Sequence, residues 1–269
     1  MRRALVPVVV VVLLLGAPGG ASAAVWRPRP GTTWQWQITG RVGLAPAVRM
    51  DDVDLFDLRR GELNAGLVGR LHRRGRIVVC YVDTGAWESY RPDASQFPRA
   101  VIGNQTYASD GRPWVGERWL DIRRSSWHRF AFLIWRRLDL ARRLGCDGVE
   151  PDQLNPVGND PGFPITLADQ KAFYLEVARQ AHRRGLSVGQ KNGIETTDAA
   201  TVRAFDWDLN EECFRYDECG VLRRYVRAGK AVFQVEYTGT RARVCPRARR
   251  LRFSTLFKRL ELGAWRRAC

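Results

Sequence analysis

The sequence predicts an α/β protein, a single-domain (β/α)8 barrel that follows an N-terminal export signal. Three observations predict it: a repeated helix–glycine–strand unit, eight candidate strands, and a mature length close to the ≈ 250 residues of such barrels. The chain has 269 residues, of which 45% are hydrophobic and 27% are charged. That ordinary globular composition excludes a disordered chain, a collagen-like repeat and a multi-span membrane protein.

One unit recurs four times along the chain. A helical stretch ends in basic residues and a glycine, and a strand follows that ends in polar residues, over 71–83, 141–152, 181–192 and 225–237. Basic residues favour the carboxyl end of a helix and glycine favours the next position. Strands rich in Val and Ile are typical of buried parallel sheets, so each unit predicts a helix packed on a parallel strand.

Eight strands complete the predicted barrel. They are 33–39, 52–56, 76–83, 118–122, 146–152, 186–192, 206–210 and 230–237. Helices are predicted over 127–144, 167–184 and 247–262, with shorter ones near 62–74 and 220–228. Segments 40–50 and 87–116 are rich in Gly and Pro and are predicted to be loops, the second long enough to wall a cleft. An open doubly wound sheet is the alternative, but no Gly-rich phosphate loop follows the first strand.

Residues 1–23 have the pattern of a secretory signal peptide. Arg2 and Arg3 form a basic start, 4–15 is apolar, and 21–23 is an A-x-A cleavage motif. The apolar run is too short for a bilayer, which needs ~20 residues, although an uncleaved anchor is the alternative. We therefore expect a secreted, extracellular catalytic domain, 24–269, cleaved near Ala23 and without stable membrane insertion. The sequence does not distinguish Sec from twin-arginine export.

Six cysteines become candidates for disulfides once export is predicted. They are Cys80, Cys146, Cys213, Cys219, Cys245 and Cys269. Cys213 and Cys219 bracket a short loop and can pair across it, and Cys245 and Cys269 can tie down the end of the chain. The other two lie in apolar strands, and the sequence leaves open whether they are free thiols. With no CxxC pair and three histidines, a zinc site is not expected, whereas a calcium site made of carboxylates stays open.

The chain is strongly basic, with 44 Lys and Arg against 28 Asp and Glu and a net charge of +16. Only four of the basic residues are lysine, a skew that the arginine codons of a GC-rich genome also produce. The arginines are scattered over many predicted helices instead of clustering with aromatics, so a nucleic-acid partner is not predicted. A binder of anionic surfaces is kept only as an alternative.

Polar and acidic residues gather at the carboxyl ends of the predicted strands, where barrels place their chemistry. These residues are Asp52, Asp54, Asp57, Tyr81, Asp83, Glu150, Asp152, Lys191, Asn192, Asn210, Glu211, Glu212, Glu236 and Tyr237. Side chains alternate along a strand, so Glu150 and Asp152 share a face. Acidic residues here also cap helices, but a cluster of them provides the two carboxylates that glycoside hydrolysis requires.

Other hydrolytic chemistries lack their residues. There is no G-x-S-x-G motif, and His72, His128 and His182 lie on predicted helices away from the strand ends, which disfavours a Ser-His-Asp or zinc hydrolase. The chain has ten tryptophans, some of which are expected to be core and some to stack on sugar. Those at or near strands and loops are Trp34, Trp36, Trp87, Trp114, Trp119 and Trp207.

The same segments resemble glycoside hydrolase family 114, the endo-α-1,4-polygalactosaminidase family. From Trp34 to Tyr237 they run, in the family's order, WQWQITG, DVDLFD, VVCYVDTGAWESYRPDASQFP, GERWLDIR, RLDLARRLGCDGVEPD, AHRRGLSVGQKN, DLNEECFRYDEC and AGKAVFQVEY. The resemblance implies a secreted, retaining endo-hydrolase without a cofactor, and we expect a monomer that holds no metal. Its implied substrate is an α-1,4-linked, partly deacetylated galactosamine polymer of microbial exopolysaccharides.

The resemblance also implies roles for particular residues. The Asp of E-P-D, Asp152, would be the nucleophile and the Glu of N-E-x-C, Glu211, the acid/base, with Glu150 in reserve. The residues implied to line the sugar subsites are Asp54, Tyr81, Asp83, Lys191, Asn192, Asn210, Glu236 and Tyr237. Segment 153–157 departs from the family's N-V-D-G-Y, which affects the sugar preference. A hydrolase of another α-linked polysaccharide and a non-catalytic sugar-binding barrel are the alternatives.

Overall fold

A computed structural model describes residues 25–43, 47–54, 56–57, 62–63 and 66–269. The predicted signal peptide, 1–23, lies outside these residues, so its prediction stays untested. In the described part of the chain, every helix is too short or too polar to span a bilayer.

The elements alternate along the chain as the repeated unit predicts. The strands are β1 (Trp34–Gln37), β2 (Met50–Asp54), β3 (Phe56–Asp57), β4 (Glu62–Leu63), β5 (Ile77–Asp83), β6 (Ala86–Glu88), β7 (Ile102–Tyr107), β8 (Pro113–Leu120), β9 (Gly148–Asp152), β10 (Ser187–Lys191), β11 (Trp207–Glu211), β12 (Val232–Glu236), β13 (Ser254–Phe257) and β14 (Arg267–Ala268). The helices are α1 (Leu67–His72), α2 (Ala131–Leu144), α3 (Leu167–Arg183), α4 (Ala199–Ala204), α5 (Arg223–Arg227) and α6 (Arg241–Leu251).

Eight parallel strands form the predicted (β/α)8 barrel. Their order is β1-β2-β5-β9-β10-β11-β12-β13, and β14 pairs antiparallel with β13. The two ends of the sheet meet where the indole Nε1 of Trp34 donates to the carbonyl of Ser254 at 2.8 Å. The carboxyl ends of all eight strands therefore open on one face.

The glycine of each repeated unit ends its helix in the predicted way. Gly75, Gly145, Gly185 and Gly229 all have a positive φ, from 69° to 90°. In this left-handed conformation the chain leaves the helix and turns into the next strand, and only glycine adopts it without steric cost. The helices thus pack around the barrel, and each strand end returns to the same face.

One predicted strand and one predicted helix are wrong, and the two errors leave the number of barrel strands at eight. Segment 118–122 was predicted as a barrel strand, but β8 lies between β6 and β7 in a separate antiparallel sheet that occupies most of the predicted 87–116 loop. We call β6, β7 and β8 the side sheet. The eighth barrel strand is β13, inside the predicted helix 247–262, because Arg252 adopts φ 60° and ends α6 there.

Aromatic side chains fill the interior of the barrel. Trp34, Trp36 and Trp207 are buried there, and the ring of Phe233 packs on Trp34 with a centroid distance of 4.9 Å. A Cβ at Gly189 would lie 2.2 Å from the Trp207 ring, so the glycine makes room for it. These tryptophans are core residues, since packed aromatic rings contribute large buried areas.

Three disulfides cross-link the chain. Cys213–Cys219 and Cys245–Cys269 are the two pairs that the sequence suggests. The open question about the other two thiols is resolved by a Cys80–Cys146 disulfide that joins β5 to the segment leading into β9. This bond therefore links two neighbouring barrel strands across a separation of 66 residues.

Removing each disulfide should destabilise the protein according to the length of loop that it closes. We expect the Cys80→Ala/Cys146→Ala variant to lose about 4 kcal/mol of unfolding free energy and Cys213→Ala/Cys219→Ala about 2 kcal/mol, since longer cross-linked loops restrict the unfolded chain more. Urea unfolding at one pH measures both. The reverse order would show that native-state strain, and not chain entropy, governs these cross-links.

Candidate active site

The centre of the site is a buried lysine on β10. The side chain of Lys191 is 2% exposed, and its ammonium contacts Oδ1 of Asp152 at 2.7 Å, Oε1 of Glu150 at 2.9 Å and Oε2 of Glu211 at 3.4 Å. The ammonium also lies 4.9 Å from the centroid of the Trp36 ring. Burial alone would lower the pKa of Lys191, but the three carboxylates raise it well above its usual value. The lysine therefore stays charged.

The backbone turns sharply directly after each of the three strands that carry this cluster. Gln153, Asn192 and Glu212 follow β9, β10 and β11 and have φ of 55°, 49° and 62°. Such left-handed conformations cost about 1 kcal/mol or more in a residue other than glycine, and they concentrate at functional sites. Backbone bonds hold them, because Asn192 N donates to Leu209 O at 2.9 Å and Glu212 N to Val235 O at 2.7 Å.

Asp152 is fixed from three directions at the end of β9. Its Oδ1 accepts the ammonium of Lys191 and the backbone N–H of Gln153 at 2.8 Å, and its Oδ2 accepts the hydroxyl of Tyr81 at 3.1 Å. Its backbone carbonyl accepts the N–H of Gly85 at 3.1 Å. A Cβ on Gly85 would lie 1.6 Å from the Gln153 carbonyl oxygen, so this approach requires glycine.

Glu211 is held by the strand ends on either side of it. The amide Nδ2 of Asn192 donates to its Oε2 at 2.8 Å, while Oδ1 of the same amide accepts the Glu211 backbone N–H at 2.9 Å. The hydroxyl of Tyr237 donates to its other oxygen, Oε1. The side chains of Glu211 and Asp152 are 24% and 16% exposed, so both carboxylates reach the carboxyl-terminal face of the barrel, which we call the cleft.

Glu150, the third carboxylate of the cluster, lies beside a further buried carboxyl group, that of Asp52. Glu150 is buried, and its Oε2 accepts the indole N–H of Trp36 at 2.9 Å. Burial raises the pKa of Glu150 to about 6, although Lys191 lowers it. Burial and the adjacent Glu150 raise the pKa of Asp52 well above its usual range. A protonated Asp52 can donate to Glu150, which allows two buried carboxyl groups to lie together.

The side sheet adds acidic residues that sequence analysis missed. Burial and then the charge of Glu88 raise the pKa of Glu117 to about 7, and the hydroxyl of Tyr90 donates to Glu117 at 2.8 Å. Arg91 binds Glu88 through two nitrogens, each at 2.7 Å. Glu88 lies at the start of the segment predicted to be a loop, and Glu117 directly follows its end. The sequence does contain a signal for them: each end of the segment places a carboxylate near a tryptophan, in Trp87-Glu88 and in Glu117-Arg118-Trp119.

The structure brings together most of the predicted site residues. Those that contact one another are Tyr81, Glu150, Asp152, Lys191, Asn192, Glu211 and Tyr237. Lys191, predicted to line a sugar subsite, is almost fully enclosed by these side chains. Its contacts are with protein carboxylates.

Four predicted residues instead hold the surrounding loops. Asp54 forms two hydrogen bonds to Arg91 at 3.0 and 2.9 Å. Asp83 accepts the Ala86 N–H at 2.7 Å, and Asn210 accepts the Cys213 N–H at 3.2 Å. Glu236 accepts the Phe214 N–H at 3.0 Å. All four are buried.

No group of three or more His, Cys, Asp and Glu side chains within the described ranges is arranged to hold a metal ion.

Comparison with known proteins identifies the family. The profile of glycoside-hydrolase family GH114 matches residues 17–269. The chain belongs to that family. The crystal structure of Aspergillus fumigatus Ega3 in complex with galactosamine superposes on this GH114 enzyme with a TM-score of 0.80 and 32% identity, covering 93% of this chain and 100% of that one.

A more distant structure shares the fold. The glycoside hydrolase domain of PelA from Pseudomonas aeruginosa gives a TM-score of 0.66 at 14% identity, covering 88% of this chain and 98% of that one. No curated protein sequence matches significantly. Family and fold together make this protein a glycoside hydrolase.

Replacing the central lysine should alter both rate and pH dependence. We expect Lys191→Met to lower kcat/KM by about 10²-fold or more, because Asp152, Glu150 and Glu211 lose the ammonium that positions them. Since Lys191 lowers the pKa of Glu150, the acidic limb of the pH–rate profile should also move to higher pH. A folded variant with the wild-type profile would contradict this role. Lys258→Met, at a buried lysine outside the cluster, is the control.

Because Glu236 is buried, the free energy of unfolding should decrease as pH rises. Burial raises the pKa of Glu236 to about 7 from an ordinary value of 4.5. The folded protein therefore holds this proton more tightly than the unfolded chain, and the resulting stability is full below pH 4.5 and is lost as pH rises towards about 7. Relative to Glu236→Gln, the wild type should lose unfolding free energy across this window in urea titrations. The exposed control, Glu261→Gln, should follow the wild type.

Proposed function

We propose that this GH114 enzyme is a secreted endo-acting hydrolase of an α-1,4-linked exopolysaccharide that contains galactosamine. We further propose that it retains the anomeric configuration, with Asp152 as nucleophile and Glu211 as acid/base. The observation that carries the proposal is that both carboxylates reach the cleft while sharing the ammonium of Lys191.

The spacing of the two carboxylates supports retention. Because one ammonium contacts Oδ1 of Asp152 at 2.7 Å and Oε2 of Glu211 at 3.4 Å, these oxygens are no more than about 6 Å apart. Retaining glycosidases place their carboxyl groups ≈ 5–5.5 Å apart, whereas inverting ones leave ≈ 6.5–9.5 Å for a water. Direct attack by a carboxylate is therefore favoured.

The contacts of the pair differ in a way that supports separate roles. Asp152 receives the shorter contact from Lys191 together with the Tyr81 hydroxyl, so it is the more firmly positioned of the two for attack. Glu211 lies farther from the ammonium, at 3.4 Å, and is the more exposed side chain, so it is the better placed to exchange a proton with the leaving oxygen and with water. Asp152 then attacks the anomeric carbon while Glu211 gives its proton to the glycosidic oxygen. In the second half, Glu211 takes a proton from the water that releases the sugar from Asp152.

The charge of the cleft supports a cationic polymer as substrate. Asp152, Glu211 and Glu117 surround the reaction centre with carboxyl groups, while the only lysine among them is buried. Free amines of a deacetylated galactosamine polymer are positively charged. The net charge of +16 opposes such a substrate, but exposed distant charges are screened over about 8 Å at physiological salt. The galactosamine in the Ega3 complex is consistent with this assignment.

The predicted export and the proposed reaction are consistent with the same extracellular setting. Three disulfides fit an oxidising compartment, as the signal peptide predicted at 1–23 requires. The two-carboxylate reaction needs no cofactor. A polysaccharide outside the cell is therefore the substrate class we propose, acted on by a monomer.

Removing either carboxylate should abolish hydrolysis without unfolding the protein. We expect Asp152→Asn and Glu211→Gln each to lower release of reducing ends from a partly deacetylated α-1,4-galactosamine polymer by about 10³-fold or more. Asp217→Asn, an exposed carboxylate in the loop after β11, is the matched control and should keep full activity. Circular dichroism checks folding.

Two results would overturn parts of the proposal. Inverted product configuration, read by NMR of the fresh reducing ends, would contradict Asp152 as nucleophile. If the folded wild type cleaves another α-linked polysaccharide in a panel but not this one, the substrate assignment is wrong. Binding without cleavage of any polymer would leave the non-catalytic sugar-binding barrel.

A further inference from the structure

A groove of about 310 Å³ lies outside the carboxylate cluster, between the side sheet and the loop that follows β9. It is lined by Asn104, Gln105, Tyr107, Trp119, Asn159 and Asp160. We propose that this groove is a second saccharide site, which binds a cationic hexosamine unit of the polymer away from the bond that is cleaved. The proposal rests on the proposed function for the identity of the polymer.

The two walls of the groove, the side sheet and the loop after β9, are held close to each other by backbone contacts. Asn104 N donates to the carbonyl of Pro161 at 3.1 Å. A Cβ on Gly103 would lie 2.0 Å from that carbonyl oxygen, and one on Gly162 would lie 3.1 Å from the Asn104 side chain. Two glycines therefore let strand and loop approach closely. Nε of Arg118 also donates to the Gly103 carbonyl at 2.6 Å, so the groove is built into the fold.

The groove presents polar atoms that can form hydrogen bonds to a sugar. Gln105 is held by bonds from its Nε2 to three backbone carbonyls, and Asn159 by one from its Nδ2 to Asn155 O at 2.9 Å. The Asn104 amide and the Tyr107 hydroxyl have no hydrogen-bond partner among the described residues, and the Tyr107 side chain is 60% exposed. Amides and an open aromatic ring are the groups that bind the hydroxyls and the face of a pyranose.

The charge of the groove selects for a cation. Asp160 is its only charged lining residue. One oxygen of Asp160 accepts the Gly162 N–H at 3.3 Å, and within the described ranges its carboxylate forms no ion pair. An ammonium can bind there beside the Tyr107 ring through a charge-assisted hydrogen bond and a cation–π contact. An acidic or fully N-acetylated sugar would gain neither interaction.

Backbone contacts connect the groove to the reaction centre. The loop that carries Asn159 and Asp160 begins at Asp152 itself, and Leu120 N at the end of β8 donates to Gly85 O at 2.9 Å. Gly85 N in turn donates to the Asp152 carbonyl at 3.1 Å. Both sites thus lie at the same end of the barrel. A long chain can occupy both, and the second contact then acts at high effective concentration.

The groove is tested with Tyr107→Ala and Asp160→Asn, against two matched controls outside it. Phe132→Ala removes an exposed aromatic on α2, and Asp110→Asn removes a carboxylate on the β7–β8 turn. Both groove variants should raise KM about 5- to 10-fold on a long, deacetylated galactosamine polymer. They should leave kcat, and kcat/KM on the shortest oligomer cleaved, unchanged. On a fully N-acetylated polymer, Asp160→Asn should match the wild type.

Binding to the same polymer is measured in parallel by calorimetry, in the Asp152→Asn background to prevent cleavage. Weaker binding in both groove variants, but in neither control, is expected. If folded Tyr107→Ala keeps the wild-type KM and affinity, the proposal of a second saccharide site is wrong, while the proposed function stays intact. Equal losses on polymer and shortest oligomer would place the groove within the catalytic cleft and overturn a separate site. If the polymer is neither cleaved nor bound, both proposals fail.

Discussion

The site depends on one buried cation surrounded by carboxylates. Removing an ammonium and carboxylates from water costs several kcal/mol per ion, and their attraction repays this only when the geometry is close. Lys191 meets that condition because β9, β10 and β11 are adjacent and in parallel register, so the ends of three strands converge on its Nζ. A shift of one residue in any of these strands would turn a side chain to the opposite face and leave a buried charge unpaired.

The rest of the barrel end is arranged around that cluster. The left-handed residues after β9, β10 and β11 turn the chain away at once, so the last side chain of each strand joins the cluster instead of being covered by its own loop. Tyr81 and Tyr237 reach the two cleft carboxylates from opposite neighbouring strands. Rigid support of this kind places reacting groups before the substrate arrives, which is a general requirement for electrostatic catalysis.

Sequence reasoning found the barrel and the central residues because both rest on local signals. The helix–glycine–strand unit repeats the same local pattern of basic residues, glycine and an apolar strand, and Glu150 and Asp152 share a face by simple alternation. It failed where the choice is tertiary. Segment 118–122 has the composition of a barrel strand, and only its pairing with β6 and β7 shows otherwise. The sequence also does not show side-chain partners: the ammonium of Lys191 contacts Glu150 and Asp152, and an oxygen of Glu236 accepts the Phe214 N–H.

The Cys80–Cys146 bond has a consequence for how such an enzyme diversifies. The ring that it closes contains the whole side sheet and α2, and hence Glu88, Glu117 and one wall of the groove. Loop-closure entropy grows only logarithmically with length, so residues added inside a ring already joined at its base cost little. The bond holds β5 beside β9 whatever lies between. The side sheet within this ring is thus an exchangeable cassette, in which length and contacts can change while Tyr81, Gly85 and the strands that position Asp152 stay in place.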